Sequence, residues 1–369
     1  MRSSSIVPAA SLLLALVSLL PLHSASLRGN QGECPEGHGD TLTLTFTGDL
    51  LLDRGVRRVI ESSNSHQGSP DSLRCLDCLF SSSIDSLFRT SQVVVANLEC
   101  PATKVKAPVF KRFIFRAEPE WLPALRHHGI THLNLANNHS IDQGRQGLMD
   151  TRQNIIAAGM TPIGAGSNMQ EASQPVLLAT LPLPTVGAGP LPARQDNVGA
   201  GLLPARRALS PKLRRVWLLS SERLLLENFA LLTDRPCVSQ EPMDSLLRRV
   251  SRLRQEDPQA VIVISLHWGG EHTLQPVPAQ RLDAHRLIDA GADALICHHT
   301  HTLQTIETYR GRPIYYSVGN FIFDQQRPIN SRACLVQLKV TTDSIRAVTV
   351  PIVIRNCQPQ ITQLIPNRS

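Results

Sequence analysis

The chain has 369 residues, 42% of them hydrophobic and 18% charged, with a formal net charge of +7. That length buries a substantial core, and the balanced composition excludes a fibrous, low-complexity or wholly disordered chain. The basic excess gathers at Lys104 to Arg112 and Arg206 to Arg215 without any nucleic-acid-binding motif. It fits a solvated face or attraction to an anionic polymer or a phosphorylated small molecule, with no nucleic acid as partner.

The first element is a targeting segment. Arg2 supplies a positive start, Ile6 to Leu20 an apolar stretch, and Ser24 to Ser26 a run of small residues. Residues 1–26 therefore read as a secretory signal peptide, which predicts a secreted protein with no stable membrane span after cleavage. An uncleaved N-terminal membrane anchor is the competing reading, although the apolar stretch is short for a span. Residues 27–40 form a polar N-terminal extension. Eight cysteines, Cys34, Cys75, Cys78, Cys100, Cys237, Cys297, Cys334 and Cys357, suit an oxidising compartment and predict disulfide bonds whose pairing stays open. Their scatter does not resemble a zinc framework.

From Thr41 to Thr47 apolar residues alternate with threonine, the period of a half-buried strand. Short apolar runs recur at Val93 to Ala96, Ile130 to Ala136, Val261 to Leu266, Ala294 to Cys297 and Ile314 to Val318. Helical periodicity separates them at Ile84 to Phe88, Trp121 to Leu125, Leu148 to Ala158, Leu246 to Leu253 and Leu282 to Ile288. Strands alternating with helices predict a layered α/β fold. Residues 41–330 read as one domain, interrupted over 181–215 by a Pro-, Gly- and Ala-rich irregular insertion. Residues 331–369 read as C-terminal strands and a tail, which makes the sheet mixed.

Predicted strands lead into polar residues that can ligate a metal or handle a proton. These are Gly48-Asp49, Asn97-Leu98-Glu99, Asn137-Asn138-His139-Ser140-Ile141-Asp142, His267-Trp268-Gly269-Gly270-Glu271 and His298-His299-Thr300-His301. The carboxyl edge of an α/β sheet is where ligands bind. Imidazole, carboxylate and amide oxygen donors together suit one or two divalent ions, Mn, Zn or Fe. On an extended segment, His299 and His301 would point to the same side. Each piece alone has a plainer explanation. A histidine after a strand is often structural, Asn-Asn-His can cap a helix, and Asn138-His139-Ser140 is formally a glycosylation sequon, as is Asn367-Arg368-Ser369. Jointly, the strand-end clusters point to one shared site.

The order Thr47-Gly48-Asp49, Asn97-Leu98-Glu99, Ala136 to Gly144, His267 to Glu271, His299-Thr300-His301 and Tyr315 to Asp324 resembles the CapA family of poly-γ-glutamate capsule synthesis proteins. The resemblance runs from about Leu42 to Gln325. It implies a relation to calcineurin-like metallophosphoesterases, and so a four-layer α/β/β/α sandwich of two mixed sheets flanked by helices. By position it implies Asp49, Glu99, Asn138, His267, His299 and His301 as metal ligands, with Glu99 the bridge. His139 would be the general acid, and Asp142 and Glu271 would orient the histidines. The resemblance thus implies a metal-dependent, phosphoesterase-like hydrolase, or alternatively a non-catalytic factor that binds or exports an anionic polymer. Leu51 stands where phosphoesterases of this type carry an imidazole, Glu99 replaces an aspartate, and Ser140 replaces an acidic residue.

Overall fold

The computed structural model describes residues 41–65, 73–183, 213–224, 233–325 and 327–362, all within one compact unit, Cys34–Ser369. The signal peptide, the N-terminal extension, Cys34 and the Asn367 sequon lie outside the described residues.

In chain order, β1 (Leu42–Leu50) leads into α1 (Arg54–Ser65) and α2 (Ser82–Arg89). Then come β2 (Val93–Leu98), α3 (Leu122–His127), β3 (His132–Asn134), α4 (Gly144–Ala157), β4 (Thr161–Ile163) and β5 (Ala165–Gly166). The middle of the chain forms α5 (Met169–Ala172), β6 (Val176–Pro182), β7 (Leu213–Glu222), β8 (Cys237–Val238), α6 (Met243–Glu256) and β9 (Val261–His267). The last part forms α7 (Pro278–Asp289), β10 (Ala294–Ile296), β11 (Ile306–Tyr309), β12 (Arg312–Tyr315), β13 (Asn320–Ile322), β14 (Arg332–Val340), β15 (Ile345–Arg355) and β16 (Gln358–Ile361).

Two mixed sheets result. One runs β16-β15-β14-β1-β2-β3-β4, with β13 also paired to β1; the other runs β11-β12-β10-β9-β7-β6. The period of two explains how they stack. In β2, Val93 and Val95 join one apolar cluster while Val94, Ala96 and Leu98 join another. In β9, Val261 and Val263 join the first of these, and Ile262, Ile264 and Leu266 a third. The shared cluster therefore lies between the sheets. Outside it, α1 to α4 cover one sheet and α6 and α7 the other. The four-layer α/β/β/α arrangement follows. Central strands buried on both faces are what continuous Val/Ile/Leu runs encode, and each such side chain contributes about 1.5–3 kcal/mol on burial.

Two expectations change. Residues 181–215 are not irregular throughout: Leu181 and Pro182 end β6 and pair with Arg214 and Leu213 at the start of β7, while residues 184–212 lie outside the described residues. The C-terminal strands are integral to the domain, because β14 runs antiparallel against β1. The disulfide expectation finds no support among the described residues, since no bond joins two of their cysteines. Cys100, Cys334 and Cys297 sit in three different apolar clusters and cannot meet. Burial pushes the Cys297 and Cys334 thiols up to about 12, so they stay protonated. Among the described residues, no helix is long and apolar enough to cross a membrane.

Candidate metal centre

The parallel strands of both sheets end at one edge, and their polar termini meet there. Asp49 lies inside β1 rather than beyond it, after a register shift between Phe46 and Asp49. Gly48 allows that shift: a Cβ there would lie 2.0 Å from the Gly319 carbonyl oxygen. Asn97 Nδ2 donates to Asp49 Oδ1 at 2.8 Å, and Asn97 Oδ1 accepts from the side-chain amides of Asn134 and Asn137. Glu99 follows β2, and its backbone N–H bonds to the Leu50 carbonyl at 2.8 Å.

His267 closes β9. Its Nε2 faces Asn138 Oδ1 at 2.9 Å, His299 Nδ1 at 3.2 Å and Glu99 Oε1 at 3.4 Å. His301 Nδ1 faces Asn320 Oδ1 at 2.9 Å, Asp49 Oδ2 at 3.3 Å and Glu99 Oε2 at 3.8 Å. Two groups emerge, Glu99-His267-His299 and Asp49-Glu99-His301, each with ligand atoms within 4.8 Å of one another. Glu99 belongs to both.

His299 and His301 do not lie on an extended segment. Both have left-handed backbone, at φ 97° and 56°, a strained state for non-glycine residues. His298 anchors the turn instead, with Nε2 3.0 Å from the Thr47 carbonyl oxygen. The two imidazoles consequently serve different groups. Asn137 and Asn138 also divide their work. Asn137 Oδ1 accepts from the His139 backbone and the Ser140 hydroxyl, whereas Asn138 faces His267, which encloses that sequon's amide.

The electrostatics follow from burial. Glu99 is fully buried, and neither carboxylate oxygen has a hydrogen-bond donor among the described residues. Burial and the nearby Asp49 charge hold its carboxyl well above the usual range. Burial pushes Asp49 up too, but the His301 hydrogen bond and the charges of His298 and His301 outweigh it and leave it lowered. Burial, with neighbouring histidines, holds His267 well below the imidazole range and takes His299 to about 3. For His301, burial pulls downward, but Glu99 and Asp49 raise it to about 9.

This donor set fits a cation. Three lone-pair atoms crowd His267 Nε2, and one proton can bridge only one of them, whereas a divalent ion attracts all. The orphaned Glu99 oxygens would otherwise be a buried unsatisfied carboxylate, which costs several kcal/mol.

Beside the cluster, Asp142 Oδ2 accepts from His139 Nδ1 at 2.8 Å and from the Phe115 backbone at 2.8 Å. Lys111 Nζ reaches Asp142 Oδ1 at 3.2 Å and donates to the Asn138 carbonyl at 2.7 Å. Burial lowers His139, partly offset by Asp142. Glu271 stands apart: its side chain is 46% exposed and its nearest ionic partner is His272, at 3.6 Å. It orients none of the clustered imidazoles through a hydrogen bond. Leu51 is fully buried in the outer core. The sequence reading gave no individual role to Asn97, Lys111 or Asn320. Asn97 sits two positions before Glu99, and Asn320 follows Gly319, whose φ of 78° marks a turn.

A family profile described as Bacterial capsule synthesis protein PGA_cap matches residues 43–325. The chain is similar to the PGA biosynthesis protein CapA of Bacillus subtilis (strain 168), at 28% identity over 323 residues, covering 87% of this chain and 73% of that protein. It is similar to the capsule biosynthesis protein CapA of Bacillus anthracis, at 26% over 362 residues, covering 95% and 77%. Among solved structures, the calcineurin-like phosphoesterase YfkN from Bacillus subtilis aligns with a TM-score of 0.43 and 11% identity, over 87% of this chain and 88% of that one.

Proposed function

This chain belongs to the PGA_cap family of bacterial capsule synthesis proteins, and from that premise we propose that it is an exported, metal-dependent hydrolase of phosphoesterase type that serves the making or export of an anionic polymer. The observation that carries the reading is Glu99, shared by two ligand groups and buried without a hydrogen-bond donor among the described residues. Asp49, Glu99, Asn138, His267, His299 and His301 would hold one or two divalent ions, whose contribution is Lewis acidity and an activated water.

The chain's own residues supply the rest. Asp142 holds His139 through Nδ1, leaving Nε2 to exchange a proton with a leaving oxygen. Lys111 neutralises Asp142 and ties that turn to Asn138. Phe115 packs on the His139 ring, with centroids 4.3 Å apart, and excludes water from that face.

The test is elemental analysis of the purified chain together with a generic phosphoester assay of the His267→Ala, His299→Ala double variant. Bound Mn, Zn or Fe, lost with activity in the variant, is the expected outcome. Unchanged activity in the variant removes the reading. The second reading, a non-catalytic binding or export factor, draws support from Leu51, which leaves the first metal position one imidazole short. It predicts salt-sensitive polymer binding that survives loss of the ligands.

A further inference from the structure

We infer that Arg54 is an oxyanion-binding residue at the rim of this cluster, taking a carboxylate or phosphate group of the anionic substrate. The inference rests on the reading above and names a contact that reading leaves open. Arg54 begins α1, just after the strand that carries Asp49, with a left-handed φ of 53°. A non-glycine residue there is strained, and neighbouring groups enforce it. Asp53 Oδ1 accepts the Arg54 N–H at 2.8 Å, and Asp324 Oδ2 accepts the Gly55 N–H at 2.9 Å. Gly55 is needed for that approach, because a Cβ would lie 2.6 Å from the Asp324 Cβ.

The side chain is then aimed between two aromatic walls. Its guanidinium carbon lies 4.9 Å from the Phe115 ring centre and 5.4 Å from that of Phe323. Phe115 packs on His139, and Phe323 packs on His301 at 4.7 Å. The cation thus sits behind rings that touch both flanks of the cluster. One amino group contacts Asp324, while Nε is buried and has no acceptor among the described residues. The side chain is 33% exposed. A partly exposed ion pair alone is weak, which accounts for neither the strained backbone nor the paired rings. Beyond the amino group on Asp324, the partly exposed planar guanidinium suits an oxyanion.

The test measures binding of a γ-linked glutamate oligomer and, separately, of inorganic phosphate to the metal-loaded chain, wild type, Arg54→Lys and Arg54→Met. The expected result is a loss of about 10- to 100-fold in the Met variant for at least one probe, partly restored in the Lys variant. Metal content should not change. The probe affected identifies carboxylate or phosphate as the anion. Equal affinities in wild type and the Met variant overturn the inference, as does failure of the wild type to bind either probe. Should the wild type bind the oligomer through Arg54 yet hold no metal, the functional reading fails and this one stands. If Arg54→Met does not fold, protection of Arg54 from phenylglyoxal by saturating probe, mapped by peptide mass spectrometry, replaces it; absence of protection overturns the inference.

Discussion

Asp49 and Asn320 face each other across the parallel pair of β1 and β13, and both reach one atom, His301 Nδ1, at 3.3 and 2.9 Å. Strand register, not sequence proximity, brings a carboxylate, an amide and an imidazole together. Asn320 also donates toward the carbonyls of His301 and Asn330, so it fixes the strained turn as well as the ring.

Asn320→Ala should therefore weaken metal affinity by about 10- to 100-fold, the usual cost of losing a group that orients a ligand. Competition against a chelating dye measures it. Affinity equal to wild type would show that the turn holds His301 without help.

A second expectation concerns Glu99. With no donor for either oxygen among the described residues, the metal-free chain carries a buried carboxyl that a cation relieves. Wild type should gain about 2.7 kcal/mol of stability at a metal concentration of 100 times Kd, seen as a higher Tm that a chelator abolishes. Glu99→Gln should lose most of that chelator response. A Gln variant responding as fully as wild type would separate Glu99 from the cation.

Gly48→Ala should be severe. Its Cβ would meet a backbone oxygen at 2.0 Å, which no rotamer change relieves, and overpacking of this kind costs about 1–3 kcal/mol or more. Urea unfolding should show the loss, with metal binding weakened because Asp49 moves with the strand. A near-neutral variant would mean that β1 and β13 part more easily than their pairing indicates.

Stability should also depend on pH through His132, away from the cluster. Burial lowers this imidazole from 6.5 to about 4. Between those values the unfolded chain binds a proton that the folded chain refuses, so stability is fully present above about 6.5 and falls as pH drops toward 4. The full effect is of the order of 3 kcal/mol. His132→Gln should flatten denaturation midpoints across that window; an unchanged slope would assign the acid sensitivity elsewhere.

Strand and helix positions around β1, β2, β9 and β10 were legible because each is a short apolar run whose alternate residues feed two different apolar clusters. The helix Arg54–Ser65 was not, since only Val56 and Ile60 in it are buried and two apolar positions carry too little period. Likewise β7 hid behind the basic run Arg214-Arg215. Arg215 pairs with Asp257, and Arg214 donates to the Thr341 and Gln259 carbonyls, so charges that read as solvated face are anchored at the start of an interior strand.

By itself, the sequence determined which side chains are chemically able to hold a cation, because donor type and position at strand ends are local properties. Tertiary structure alone decided how they are shared out. Glu99 serves both groups, His299 and His301 separate, Glu271 is left outside, and Asn97, Lys111 and Asn320 are drawn in. Those assignments depend on strand register and on two left-handed histidines, which arise from pairings between segments far apart in the chain.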